Sequence, residues 1–129
     1  MTNINWQFQA AIPGGPSVLL NQPSIPVAAY DVAAVDIPAG SSNVALPIQP
    51  SAAAGDVIFL VVSSSLYDPG INYTVDALTV AHVLDGPHVL LGSGAVSFLN
   101  SSAPPQKLVF NSTAAKDANV QVVVGRKVP

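Results

Sequence analysis

Gly55-Asp56-Val57-Ile58-Phe59-Leu60-Val61-Val62-Ser63-Ser64-Ser65 is the stretch on which the fold turns. Six consecutive apolar residues, mostly β-branched or aromatic, stand between turn-forming neighbours. A strand alternates faces at every residue, so an unbroken apolar run requires both faces to be covered. Pro50 and Gly55 before the run and a serine triplet after it make the run too short for a helix. Val57–Val62 is therefore expected mid-sheet, under a second sheet on one side and another subunit or a loop on the other. Residues 50–55 leave room for one helical turn before it.

The segments around it are also extended. Ile4, Trp6 and Phe8 alternate with Asn5, Gln7 and Gln9, the period of a strand over 4–11, closed by the turn Pro13-Gly14-Gly15-Pro16. Ser17–Leu20 is a short strand, followed by a proline-punctuated crossover. Val27–Ile37 is a long strand, since its flanking prolines and β-branched content outweigh its alanines. Val44–Ile48 is short, and Pro47 confines it to a sheet edge because it cannot donate to a ladder. Residues 72–84 read as one long strand. Asp85-Gly86-Pro87 has hairpin chemistry, with 88–91 and 95–99 as the return, broken by a bulge or corner at Gly92-Ser93-Gly94. Residues 106–111 and 120–124 supply the last strands.

Eight or nine short strands without a convincing helix indicate an all-β chain. The expected architecture is a single antiparallel β-sandwich over 1–129, jelly-roll-like, with 1–12 as a terminal arm or edge strand and 125–129 as a tail. An immunoglobulin-like sandwich is the alternative, but its Cys and Trp marks are missing. No fixed-period repeat is visible.

Half of the 129 residues are apolar and only 9% are charged, against about a quarter in ordinary soluble domains. So little charge leaves much of the surface to be covered by partners, and a homo-oligomer is expected. The net charge is −3 with only four Lys and Arg. That offers no basic stripe to nucleic acid. With no cysteine, disulfides and thiolate sites are ruled out. The first residues lack the basic start and apolar core of a signal peptide, and no apolar run approaches the ~20 residues of a membrane helix. Synthesis in a cytoplasm and no membrane partner are the expectation.

Candidate chemistry is sparse. His82 and His88 bracket the predicted turn, and in one register His82, Asp85 and His88 fall within reach of a divalent metal. In the other register the histidines point to opposite faces and hydrogen-bond their neighbours. Most of the seven aspartates sit in turns, whereas Asp31, Asp36 and Asp76 fall within predicted strands and are expected to be solvated on outward faces. Ser63, Ser64 and Ser65 lack a nucleophile elbow, and Gly92-Ser93-Gly94 lacks the lysine of a phosphate loop. The three Asn-x-Ser/Thr triplets at 72, 100 and 111 follow from turns rich in these residues. Trp6, Phe8, Tyr30, Tyr67 and Tyr73 are candidates for a sugar-stacking platform, although Trp6 and Phe8 suit a core contact better. No catalytic residue and no cofactor is expected.

Lys107-Leu108-Val109-Phe110-Asn111-Ser112, a small polar loop, and Ala118-Asn119-Val120-Gln121-Val122-Val123-Val124-Gly125-Arg126 resemble the closing strand pair of small all-β bacteriophage virion proteins of the head-decoration or tail-associated kind. The resemblance implies a non-catalytic capsid or tail component acting through packing in a trimer or larger array. It also implies a virion location and contacts with other virion proteins. The expected contact residues are Ile58, Leu60 and Val62 on the outer side of the central strand and a terminal arm, either 1–12 with Trp6 and Phe8 or 125–129. A carbohydrate- or cell-surface-binding module is the competing expectation.

Overall fold

The computed structural model describes residues 2–20, 24–48 and 57–127. Eleven strands occur there: β1 (Thr2–Ile4), β2 (Phe8–Ala11), β3 (Ser17–Leu20), β4 (Ile25–Ile37), β5 (Val44–Pro47), β6 (Val57–Ser64), β7 (Ile71–Val75), β8 (His82–Val83), β9 (His88–Leu91), β10 (Lys107–Ser112) and β11 (Ala118–Lys127). One helical turn, α1 (Ser93–Val96), lies between β9 and β10. A five-stranded sheet has the order β1-β4-β11-β6-β9 and a four-stranded sheet the order β5-β10-β7-β8, while β2 and β3 form a separate hairpin. All pairings are antiparallel.

The chain is an all-β sandwich. Period-2 alternation turns Leu60, Val62, Val120, Val122 and Val124 of one sheet toward Ile71, Tyr73, Val75, Leu108 and Phe110 of the other, and all are buried. Each such side chain contributes about 1.5–3 kcal/mol by leaving water. The pairing among the eight strands β4 to β11 is nested: β4 with β11, β5 with β10, β6 with β9, and β7 with β8. Two further ladders, β11 with β6 and β10 with β7, join these pairs into the two sheets.

The central position of β6, the long strand β4 and the edge position of β5 agree with the sequence. Several expectations need correction. Residues 72–84 are two strands, because the chain reverses at Asp76, whose φ is 53°. Leu78 N–H closes that turn on Val75 C=O at 3.0 Å, and β8 runs back along β7. Asp85-Gly86-Pro87 is a corner between sheets and not a hairpin, since β8 and β9 lie in different sheets. Leu84, fully buried, anchors that corner by donating to Ile71 C=O at 2.8 Å.

The expected strand at 95–99 is a helical turn. Gly92 takes φ 91°, a conformation that favours glycine, and the next residues wind so that Val96 and Leu99 both reach the core. Their spacing of three suits a helical turn better than a strand. Residues 4–11 do not form one strand either. β1 pairs with the start of β4, and Ile4 opposite Ile25 is the last pair because β4 begins there. Gly125, Arg126 and Lys127 are no tail, for they continue β11 against β4. The possible helical turn at 50–55, Asp56, Met1, Val128 and Pro129 lie outside the described residues.

Candidate interaction surfaces

The outer face of the five-stranded sheet is apolar along two cross-strand rows. Val61 stands opposite both Val123 and Val89, and Val123 opposite Val32. The row Val32–Val123–Val61–Val89 therefore crosses four strands. The next row is Tyr30–Gly125–Phe59–Leu91. Val32 and Val89 are each 53% exposed and Tyr30 54%, whereas Val61 and Val123 in the middle are half-buried and Gly125 and Phe59 are buried. Beside β1, Ile4, Tyr30, Phe59, Val61 and Val123 line an open groove of about 420 Å³. Contiguous apolar faces are uncommon on soluble monomers, which makes this one a candidate contact surface.

This geometry corrects the register expected for β6. Leu60 and Val62 are fully buried in the core, so neither can touch a partner, and the residues on the outer side are Phe59, buried beside β1, and Val61, half-buried. The cause is a bulge: Phe59 opposes Gly125 while Val57 opposes Arg126, which leaves Ile58 as the extra, half-buried residue. One inserted residue exchanges the two faces of a strand.

The second surface is the hairpin. Phe8 faces Leu20 and Ala10 faces Val18, so these four side chains share one face and Gln9, Leu19, Ala11 and Ser17 the other. All are exposed, and neither strand packs against another element of the described residues. Phe8, expected in a core, is 52% exposed. The turn is closed by Ile12 N–H on Pro16 C=O and Gly15 N–H on Ile12 C=O. Trp6 is half-buried in the link between β1 and β2.

The histidines meet around a tyrosine and not around a metal position. His82 stands opposite Tyr73 across the β7–β8 ladder, and His88 opposite the inward-facing Val62. Both imidazoles pack on the Tyr73 ring, with centroids 5.4 and 5.5 Å away. The Tyr73 hydroxyl lies 2.6 Å from His88 Nδ1. Burial raises the Tyr73 pKa above the usual phenol range, so the hydroxyl keeps its proton, and the His88 tautomer decides which of the two groups donates. Burial, and then the nearby His88, lower the pKa of His82. Among the described residues no three His, Cys, Asp or Glu side chains converge on a common point, and Asp85 is exposed at the corner.

The other polar candidates have structural partners. Asp31, expected on an outward face, pairs with Arg126, a contact from β4 to β11. It is partly buried there because its neighbour across the ladder is the inward Val124. Asp36 accepts from Asn119 Nδ2 at 2.8 Å. Asp76 Oδ1 accepts the Gln106 and Lys107 N–H groups at 2.9 and 3.0 Å, and its Oδ2 accepts Asn100 Nδ2 at 3.0 Å. Ser64 and Ser65 hydroxyls accept backbone N–H groups of Leu66 and Asn119. The aromatics do not form one platform. Tyr73 is in the core, Tyr67 holds the Ser64 N–H, Tyr30 is on the outer sheet face and Phe8 is in the hairpin.

None of the family models, curated proteins or solved structures with which the chain was compared matches it. Among the described residues no helix is long and apolar enough to cross a membrane.

The outward pair Phe59 and Val61 and the Tyr73–His88 contact were missed in the sequence. The valines at 120, 122, 123 and 124 carried a usable signal, because only a strand with sheet on both sides and an apolar outer face tolerates that run.

Proposed function

We propose that this chain is a non-catalytic structural protein of a virion, a capsid-decoration or tail component, that acts by packing against copies of itself and other virion proteins. The observation that carries the reading is the pair of uncovered apolar surfaces, hairpin and valine row, in a chain with 9% charged residues. An isolated two-stranded hairpin is marginally stable in water, so its apolar face calls for a partner. The nested strand order supports the same reading, because it is compatible with a jelly roll, an architecture of viral capsid domains. In this reading the chain is made in the host cytoplasm, forms a homo-oligomer with a trimer favoured, and needs neither cofactor nor nucleic acid.

The test is molar mass in solution by light scattering over a range of concentrations at moderate salt. A stable state of three chains, or a larger symmetric one, is the expected result. A mass of 13.1 kDa at every concentration would overturn self-assembly. Lectin domains share the jelly-roll winding, so a carbohydrate-binding module is the second reading. Retention on a glycan array by a monomeric protein would favour it.

A further inference from the structure

We infer that the assembly contact is heterologous: the β2–β3 hairpin of one copy lies across the valine row of the next copy's five-stranded sheet. This rests on the assembly reading above and specifies its geometry.

The two surfaces match in chemistry and are separate within the chain. The arm presents Phe8, Ala10, Val18 and Leu20, and the sheet presents Val32, Val123, Val61 and Val89. Residues 8–20 contain no charged side chain, and neither do the two outer rows. Bringing them together therefore removes apolar area from water without the cost of stripping an ion of its hydration. The groove beside β1 provides a recess on that face for a large apolar side chain of the arm.

Coverage argues for a second copy as the occupant, because the uncharged hairpin and the uncharged sheet face are both left open in the same chain, and the hairpin packs on no other element of the described residues. An arm-to-arm dimer would cover the hairpin and leave the valine face open. Arm on face covers both in every copy, and such a contact closes into a ring when the rotation allows.

The experiment uses two single variants of the full chain, Leu20→Asp in the arm and Val32→Asp on the face, with folding checked by circular dichroism and mass by light scattering. Both positions are about half exposed, so the fold is expected to be retained. Should Val32→Asp unfold, Val89→Asp probes the other end of the same row. Each variant alone is expected to be monomeric at concentrations where the parent chain assembles. An equimolar mixture is expected to give a species of twice the chain mass and nothing larger. The Val32→Asp copy still offers an arm and the Leu20→Asp copy still offers a face, but neither can extend further.

Three results would overturn the inference while leaving the assembly reading in place. They are an oligomer that both variants leave intact, loss of assembly in Leu20→Asp alone, and a mixture in which no paired species forms. A parent chain that stays monomeric throughout would overturn both.

Discussion

The Tyr73 hydroxyl, 2.6 Å from His88 Nδ1, ties the four-stranded sheet to the edge strand of the five-stranded one. Tyr73 is fully buried, and its ring also packs on Phe110 at 5.4 Å. The contact thus sits where the core of the sandwich meets the seam between β8 and β9. Replacing Tyr73 by Phe keeps the ring and removes the hydroxyl. Such a loss costs about 1 kcal/mol net, and more where the remaining partner is left dry. Tyr73→Phe is expected to lower the melting temperature by a few degrees, measured by calorimetry at neutral pH. An unchanged melting point would count against a bridging role.

His82 gives the seam a pH dependence. Its folded pKa lies below the usual 6.5 through burial and the proximity of His88. The unfolded chain therefore binds a proton that the folded chain refuses, and stability must fall as pH drops through 6.5. The penalty is complete once pH is below the folded value, and above about pH 7.5 it vanishes. Urea midpoints at pH 7.5, 6.5 and 5.5 are expected to decline for the parent chain and to decline less for His82→Asn. Carboxylates ordinarily titrate near pH 4 and contribute little in that window.

Gly125 is where β1 and the outer face close together. A methyl group there would lie 3.0 Å from Ile4 Cδ1, 3.0 Å from Val27 Cγ1 and 3.1 Å from Phe59 Cβ. Three close approaches from three strands leave no single direction of relief. Gly125→Ala is expected to cost about 1–3 kcal/mol, the usual range for overpacking. The same substitution at Gly94, where nothing lies within 4 Å, is the matched control in denaturant unfolding.

Asp76 holds the loops around the β7–β8 reversal through three hydrogen bonds. Asp76→Ala removes all three and places alanine at a positive φ, so a loss of about 2–3 kcal/mol is expected. Asp76→Asn tolerates that backbone and keeps an acceptor for Gln106 and Lys107, and its loss should be smaller by about half. Hydrogen exchange at the Gln106 and Lys107 amides reports the change directly.

How far the sequence determines this architecture depends on the kind of signal. The unbroken run at 57–62 placed β6 inside a sheet because burial on both faces is a local property. Pro47 placed β5 at an edge because a missing N–H is also local. Which residues of β6 point outward was not legible, since it depends on a bulge between Gly125 and Arg126 on a strand distant in sequence. The apolar content of 72–84 hid a reversal, because an aspartate tolerates the left-handed backbone and leaves no glycine or proline to mark the turn. Asp85-Gly86-Pro87 had the composition of a hairpin turn, and composition does not tell a turn within a sheet from a corner between two. The exposed hairpin face was written plainly in residues 8–20, yet an apolar face predicts burial and does not say in whose core.

The nested pairing also sets the order of events during synthesis. β11, the last of the described strands, is inserted between β4 and β6, and contacts such as Asp36 with Asn119 join positions 83 residues apart. Translation at roughly 5–20 residues per second leaves β4 outside the ribosome for on the order of ten seconds before its neighbour exists. Throughout that interval two Val-rich strands carry open backbone edges, on a nascent chain whose siblings on the same messenger carry the same edges. A transcript cut short before residue 118 would make the exposure permanent, so truncated products of this chain should be insoluble even though most of the sandwich has been translated.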